Sequence, residues 1–197
     1  MQVMPSKLAL SQVPDRLKIA TKEHEFRQIW ALRAAEFGRL YPALKGVDFT
    51  HDTHDGCACV LYSENKAGEI ISTGRVVFDS GLGLPADQII KPEVDKLRQR
   101  GLVIAEPSKF AIAKEARGVL AVYLRTYYEI AVGYHIDSLV FIMPAKNTGF
   151  YEKIMHATVL TDDVGYSYGT NARFALVEWH IKTSKAPFSA WLGEELP

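Results

Sequence analysis

The stretch VIAEPSKFAIAKEARG, residues 103–118, limits the fold of this chain more than any other. Ile104, Glu106, Ser108, Phe110 and Ile112 alternate with their neighbours in the two-residue period of a strand. The strand runs into a basic turn, and the pattern beyond it predicts a helix from about residue 117 to 132. SLVFIM (138–143) then reads, from its unbroken apolar run, as a buried strand. Strand, helix, strand over this span is a βαβ crossover, which calls for two parallel strands. The strand also puts one carboxylate, Glu106, among apolar neighbours. A lone buried acid followed by a strand-to-helix turn able to hold an anion points to acyl transfer to an amine.

The remaining elements fit around this unit. Residues 1–14 read as a loose lead-in and 16–20 as a short strand. EHEFRQIWALRAAEF (23–37) predicts a helix with Phe26, Ile29, Trp30 and Phe37 on one stripe. CACVLYS (57–63) and EIISTGRVVF (69–78) predict a hairpin across the turn ENKAG. A proline-bearing connection and a short helix near 93–100 follow, then a helix at 146–156 and a strand within ARFALVEWHI (172–181). The expected fold class is α/β (α+β): a mixed central sheet flanked by helices, with a splay at the strand 103–113, in one domain spanning residues 1–197.

Composition excludes some functions. Lysine plus arginine equals aspartate plus glutamate at 23 each, and no basic run is interleaved with aromatics, so nucleic acid is not an expected partner. No apolar stretch approaches the roughly 20 residues that span a bilayer. The start of the chain lacks the apolar core of a signal peptide, and the expected location is the cytoplasm. Cys57 and Cys59 stand two apart on a strand, which does not favour a disulfide between them and suits a reducing compartment.

Three charged residues fall where apolar ones are expected. Arg33 lies on the buried stripe of the first helix, Arg75 alternates with Ile71, Thr73 and Val77, and Glu106 sits on its buried strand. Each has an ordinary alternative: a snorkelling arginine, an exposed sheet face, a core ion pair. Buried unpaired charges are costly, so three in one domain are easier to explain together. Two guanidiniums and a carboxylate match a zwitterion. Arginine can grip an α-carboxylate, and a glutamate raised toward neutrality by apolar surroundings can take a proton from an α-ammonium. Pro107 cannot donate to a ladder, so the strand is expected to bulge or splay there, freeing N–H groups around Phe110 to Ile112 for an oxyanion.

Other clusters carry less. HDTHDGCAC (51–59) looks like a metal site, but no second His/Cys unit stands near it, and it reads as a polar loop entering a strand; no metal is expected. Ser108 has no histidine partner for a hydrolase triad. Tyr123, Tyr127 and Tyr128 recur at helical spacing and read as packing, whereas Tyr166 to Tyr168 could line an acyl or aryl pocket.

With these residues in view, the chain resembles the GNAT acyltransferase superfamily. Within it, the resemblance is to the branch of acyl-homoserine lactone synthases and long-chain N-acyl amino acid synthases of the FeeM type, from about residue 16 to 181. Arg33-Ala-Ala-Glu-Phe37 is similar to the first-helix Arg-x-x-x-Phe of the lactone synthases. Thr73-Gly74-Arg75 resembles their sheet arginine. Glu106-Pro-Ser108-Lys109-Phe110 resembles their Glu-x-Ser-Arg-Phe, with lysine for arginine. Asn147 to Lys153 is similar to the helix that carries a tyrosine, here Tyr151, near the leaving thiol. The turn Lys114-Glu-Ala-Arg117-Gly118-Val-Leu120 keeps only one glycine of the superfamily's pyrophosphate cradle, which favours a phosphopantetheine arm on acyl carrier protein over coenzyme A. Ten basic residues against seven acidic between Lys91 and Lys153 suit an acidic carrier.

The resemblance implies transfer of a long fatty acyl group from acyl carrier protein to the α-amine of a free amino acid, with tyrosine the best single guess. It implies no bound cofactor beyond the carrier's phosphopantetheine arm. Glu106 is the expected base and Tyr151 the acid for the thiolate. Arg33, Phe37, Arg75, Ser108, Lys109, Phe110 and Ile112 form the expected acceptor and acyl site. Lys114, Arg117 and Gly118 are the expected carrier-binding turn. Three rivals stand beside this reading. One is a lactone synthase using S-adenosylmethionine, with Tyr41 near the place of its tryptophan and Asp52/Asp55 as an approximate acidic pair. The others are an acyl-CoA-dependent acetyltransferase and a non-catalytic domain that binds acyl groups or carrier protein.

Overall fold

A computed structural model describes residues 17–50, 52–114, 116 and 118–197. The lead-in at 1–14 and Arg117 lie outside the described residues. The elements run β1 (Lys18–Ile19), α1 (Glu23–Leu40), β2 (Ala58–Glu64), β3 (Ile70–Phe78), α2 (Asp87–Gln99), β4 (Ile104–Ile112), α3 (Val119–Gly133), β5 (Ser138–Pro144), α4 (Thr148–Met155), β6 (Thr158–Thr161), β7 (Phe174–His180) and α5 (Ile181–Leu192). The strands form one sheet in the order β1-β2-β3-β4-β5-β7-β6. β4 and β5 are parallel, as the crossover requires, and the other neighbours are antiparallel.

Alternation along the central strands divides the core. Cys59 and Leu61 of β2, with Leu139, Phe141 and Met143 of β5, face α3, α4 and α5. Ala58, Val60 and Tyr62, with Val140 and Ile142, face α1 and α2. Both faces are covered, which is why the central strands read as continuous apolar runs rather than strict alternation.

Two helices differ from the sequence expectation. The helix expected near 93–100 begins at Asp87, with Pro92 inside it. Ile90 breaks the helical backbone (φ −145°, ψ 50°) ahead of the proline, so Pro92 falls in the first turn of a restarted helix, where its missing N–H does no harm. The last helix, α5, was not expected: the tail was read only for the strand within 172–181. His180 caps α5 by accepting from the Thr183 N–H, and Ile181, Ser184 and Phe188 face the core. Trp179 fastens the junction by donating its indole N–H to Ser184 Oγ at 2.6 Å.

Candidate active site

β4 and β5 pair only at Ile104↔Ser138 and Ala105↔Leu139, then part. The ladder to β3 continues, but Thr73 faces Ala111 while Arg75 faces Ser108, so β4 holds one extra residue there. This is a β-bulge, with Lys109 in the left-handed region (φ 54°). The sequence placed the distortion at Pro107. The structure ends the β5 ladder two residues before it and puts the bulge just after, opposite Gly74.

The parted strands open a cavity of about 330 Å³ that passes through the sheet. Phe110, Leu124, Tyr127, Phe141, Met143 and Tyr151 wall it on the α3 and α4 side. Tyr41, Ile142, Tyr168 and Phe174 wall it on the α1 side, together with Phe37 and Leu44. Of the residues expected to form the site, Phe37, Ser108, Lys109, Phe110 and Tyr151 line this cavity. Arg33, Arg75, Glu106 and Ile112 do not, nor do the exposed turn residues Lys114 and Gly118. Gly118 caps α3 with a left-handed backbone (φ 72°), the role its lack of a side chain suits.

The two arginines are buried in an ion cluster that the chain itself builds, and Arg33 Nε and Nη2 have no hydrogen-bond partner among the described residues. Arg33 Nη1 meets Asp55 Oδ2 at 2.7 Å, and Arg75 Nη1 meets Asp55 Oδ1 at 2.8 Å and Asp52 Oδ1 at 2.9 Å. Arg75 Nε also donates to Ser108 Oγ at 3.0 Å, and the Trp30 indole donates to Asp55 at 3.2 Å. The aspartates come from a 3₁₀ turn at Thr53–Cys57, where Asp52 accepts from the His54 N–H. The loop that looked like a metal site is thus the counter-charge for Arg33 and Arg75. Among the described residues no group of three or more His, Cys, Asp or Glu is arranged to hold a metal. The sequence clue was available: two cations on buried faces need anions, and a loop with aspartates three apart can supply them.

Lys109 is placed differently. The bulge turns it to the cavity, its Nζ lies 3.6 Å from Asp52 Oδ2, and it sits 4.9 Å from the ring centroid of Phe49 and 5.9 Å from that of Phe37. Burial, followed by the opposing field of Asp52 and the like charges of Arg75 and Arg33, leaves its pKa below the usual lysine value.

Glu106 is 4% exposed and accepts from the Ala86 N–H, at the start of α2, at 2.7 Å. GLPAD (83–87) thereby gains a function: Asp87 accepts from the Leu84 N–H and pairs with Arg98, fixing the turn that presents Ala86 to Glu106. Burial pushes the Glu106 pKa up to about 8, against the lowering effects of the Ala86 N–H, Arg75 and Lys109. Tyr151 is raised by burial and keeps its proton at neutral pH.

Sequence reasoning did not place Tyr41, Leu44 or Phe174 at the cavity: Tyr41 and Leu44 follow the end of α1 with no period to read, and Phe174 opens β7, inside the strand expected at 172–181. Tyr127, expected only to pack, also lines the cavity.

A mixed sheet splayed at its parallel pair, with a bulge and a through-going cavity at the splay, defines a GNAT-like acyltransferase fold, and comparison with known proteins agrees. The chain belongs to the family of the N-acyl amino acid synthase FeeM, matched over residues 34–179, and is an N-acyltransferase. The structure of FeeM, an N-acyl amino acid synthase from uncultured soil microbes, is similar with a TM-score of 0.73 at 22% identity, covering 89% of this chain and 95% of that one. The acyl-homoserine lactone synthase LasI is similar at 0.67 and 15% identity, covering 92% and 96%. A protein described as a phosphinothricin N-acetyltransferase gives 0.51 at 17%, covering 84% and 97%. A search of curated proteins found no match. Among the described residues no helix is long and apolar enough to cross a membrane.

Proposed function

We propose that this N-acyltransferase moves a long fatty acyl group from acyl carrier protein to the α-amine of an amino acid, with tyrosine the favoured acceptor, in the cytoplasm. The observation that carries the reading is the cavity through the splay. It lets a thioester enter from the α3 and α4 side while an amine enters from the α1 side, so the two meet at the bulge. The apolar wall of Phe110, Leu124, Phe141 and Met143 suits an acyl chain. The aromatic wall of Tyr41, Tyr168 and Phe174 suits an aromatic acceptor.

The chemistry follows from the residues in place. Glu106 takes a proton from the acceptor's ammonium indirectly, since Pro107 and Ser108 line the cavity and Glu106 itself does not. The freed amine attacks the thioester carbonyl. Backbone N–H groups after the bulge stabilise the oxyanion. The C–S bond breaks, Tyr151 protonates the thiolate, and the second proton that leaves the nitrogen restores the Tyr151 phenol. With Arg33 and Arg75 held by Asp52 and Asp55, the cation facing the cavity is Lys109, and the acceptor's α-carboxylate belongs there. The arginines act at one remove, Arg75 by gripping Ser108 beside the bulge.

The test is direct. The protein is incubated with long-chain acyl carrier protein and a mixture of the twenty amino acids, and the products are read by mass spectrometry. Amides of one or a few amino acids, tyrosine foremost, support the reading. Products only from acyl-CoA, or only with S-adenosylmethionine, replace it with one of the rivals.

A further inference from the structure

Phe150 and Trp191 are large apolar side chains left 41% and 36% exposed, and they sit together. Phe150 is in the first turn of α4 and Trp191 in the last turn of α5. Their rings meet edge to face, 5.9 Å between centroids at 85°. The pair is held from behind. Phe188 stacks on Trp191 at 5.8 Å, and Tyr151 stands edge-on to Phe150 at 5.2 Å. Two aromatic rings fixed side by side at a surface mark contact with a partner.

Their place says which partner. Tyr151 and Asn147 line the cavity, and Asn147 is exposed, so the cavity reaches the surface beside the first turn of α4. In the transfer proposed above, the donor thioester enters on this side of the sheet and its thiol leaves next to Tyr151. The protein that carries the phosphopantetheine arm must then rest on the surface around this mouth, where the aromatic pair lies. Charge agrees. Lys146, in the 3₁₀ turn that leads into α4, stands four residues before Phe150, and Lys153 three after it. These spacings share a helix face, and both lysines are exposed. Glu152, two residues from Phe150, falls on another face, and Glu194, three past Trp191, is taken up by Arg125 at 3.0 Å. An aromatic centre with a cationic rim fits an acidic protein partner.

We infer that the Phe150–Trp191 pair, with Lys146 and Lys153 at its rim, is the surface on which acyl carrier protein docks. An apolar patch of the carrier covers the rings, and its acidic side chains meet the lysines. The inference deepens the proposed transfer and rests on its choice of donor. It puts the contact between the two proteins on α4 and α5, beside the cavity mouth, rather than on the turn at Lys114–Gly118.

The test measures docking apart from chemistry. Fluorescently labelled holo acyl carrier protein is titrated with the enzyme and read by anisotropy at low and at physiological ionic strength. Phe150→Ser and Trp191→Ser should each weaken binding by roughly tenfold or more. Lys146→Glu and Lys153→Glu, both at exposed positions, should each weaken it about fivefold at low salt and flatten its salt dependence. In turnover, the four changes should raise KM for acyl carrier protein by similar factors. With acyl-pantetheine, which brings no protein to dock, kcat/KM should change by less than about threefold. Equal losses with both donors, or unchanged carrier affinity in all four variants, would overturn the docking surface. So would binding to anionic phospholipid vesicles, or a dimer, that the changes abolish while carrier affinity stays; the face would then belong to a membrane or to a second copy. If the wild type binds the carrier through these residues yet forms no amide from it, the proposed reaction fails and the docking surface stands. If amide forms and the variants bind as wild type does, the docking surface fails and the reaction stands.

Discussion

At its start β4 is fully flanked: Ile104 and Ala105 pair with β5, and Ala105 and Glu106 pair with β3. From Ser108 on it keeps β3 alone, carries the bulge, and is mostly half-buried. The same strand therefore gives two environments within five residues, Glu106 to Phe110. The closed half strips water from a carboxylate and perturbs its pKa. The open half supplies backbone donors, a turned-out lysine and a space for substrate. A site that needs both a perturbed acid and a reachable carbonyl gains from placing them on either side of such a transition.

The largest effect should come from the closed half. Glu106→Gln keeps an oxygen for the Ala86 N–H but cannot take a proton. Its kcat should fall by about 10²–10⁴-fold with the fold intact. In wild type, activity should rise with pH and level above about 8, where Glu106 has lost its proton. Stability should run the other way. The folded state holds this proton up to about 8 while the unfolded chain releases it near the ordinary value of 4.5, so the stability linked to it is present at low pH and lost as pH rises through 8. Melting temperatures at pH 5 and pH 9 should differ less in Glu106→Gln than in wild type. A flat pH–rate profile, or an active Gln variant, would remove Glu106 as the base.

Next in size is the ion cluster that supports both halves. Asp55→Asn leaves Arg33 and Arg75 without the carboxylate they share. Breaking a buried pair in this way costs about 3–5 kcal/mol, measurable as a lower denaturant midpoint. A loss below about 1 kcal/mol, the range of exposed pairs, would mean the cluster is more hydrated than its burial implies.

The open half is tested by Lys109→Met, which keeps the stem and removes the charge. Acceptor KM should rise about 10–100-fold, equivalent to about 1.4–2.8 kcal/mol, with kcat little changed. Tyramine, which lacks the carboxylate, should respond weakly to the same change. An equal response from tyramine would place the carboxylate elsewhere.

How much of this the sequence disclosed depends on range. Glu106, the crossover, the hairpin and the Arg33 stripe are written in local periods of 2 and 3.6 residues, and all were legible. The bulge was legible only as a disturbance near Pro107, because its position depends on which β3 residue faces it. The role of Asp52 and Asp55 was hidden by their loop: their partners lie 20 or more residues away in sequence, at Arg33 and Arg75. Burial of the arginines was read correctly, but the counter-charge was assigned to a substrate when the chain itself supplies it. The helix α5 went unread, and the packing of Phe188 against Trp179 and Tyr128 shows what holds it.

The smallest effect concerns Gly74, which marks the boundary between the halves from the β3 side. A methyl group there would come within 2.2 Å of Tyr127 Oη and 3.1 Å of the Tyr123 ring. Gly74→Ala should therefore cost about 1–2 kcal/mol, near the low end of overpacking, by pushing α3 from the bulge. The Tyr127 hydroxyl is buried without a hydrogen-bond partner among the described residues, so Tyr127→Phe alone should be neutral or stabilising. Combined with Gly74→Ala, it should recover much of the loss, since the closest clash goes with the hydroxyl. A double-mutant cycle by thermal unfolding measures this coupling. Strict additivity would mean that the contact between α3 and the bulge is loose, and that the step between the closed and open halves of β4 is held by the strand ladder alone.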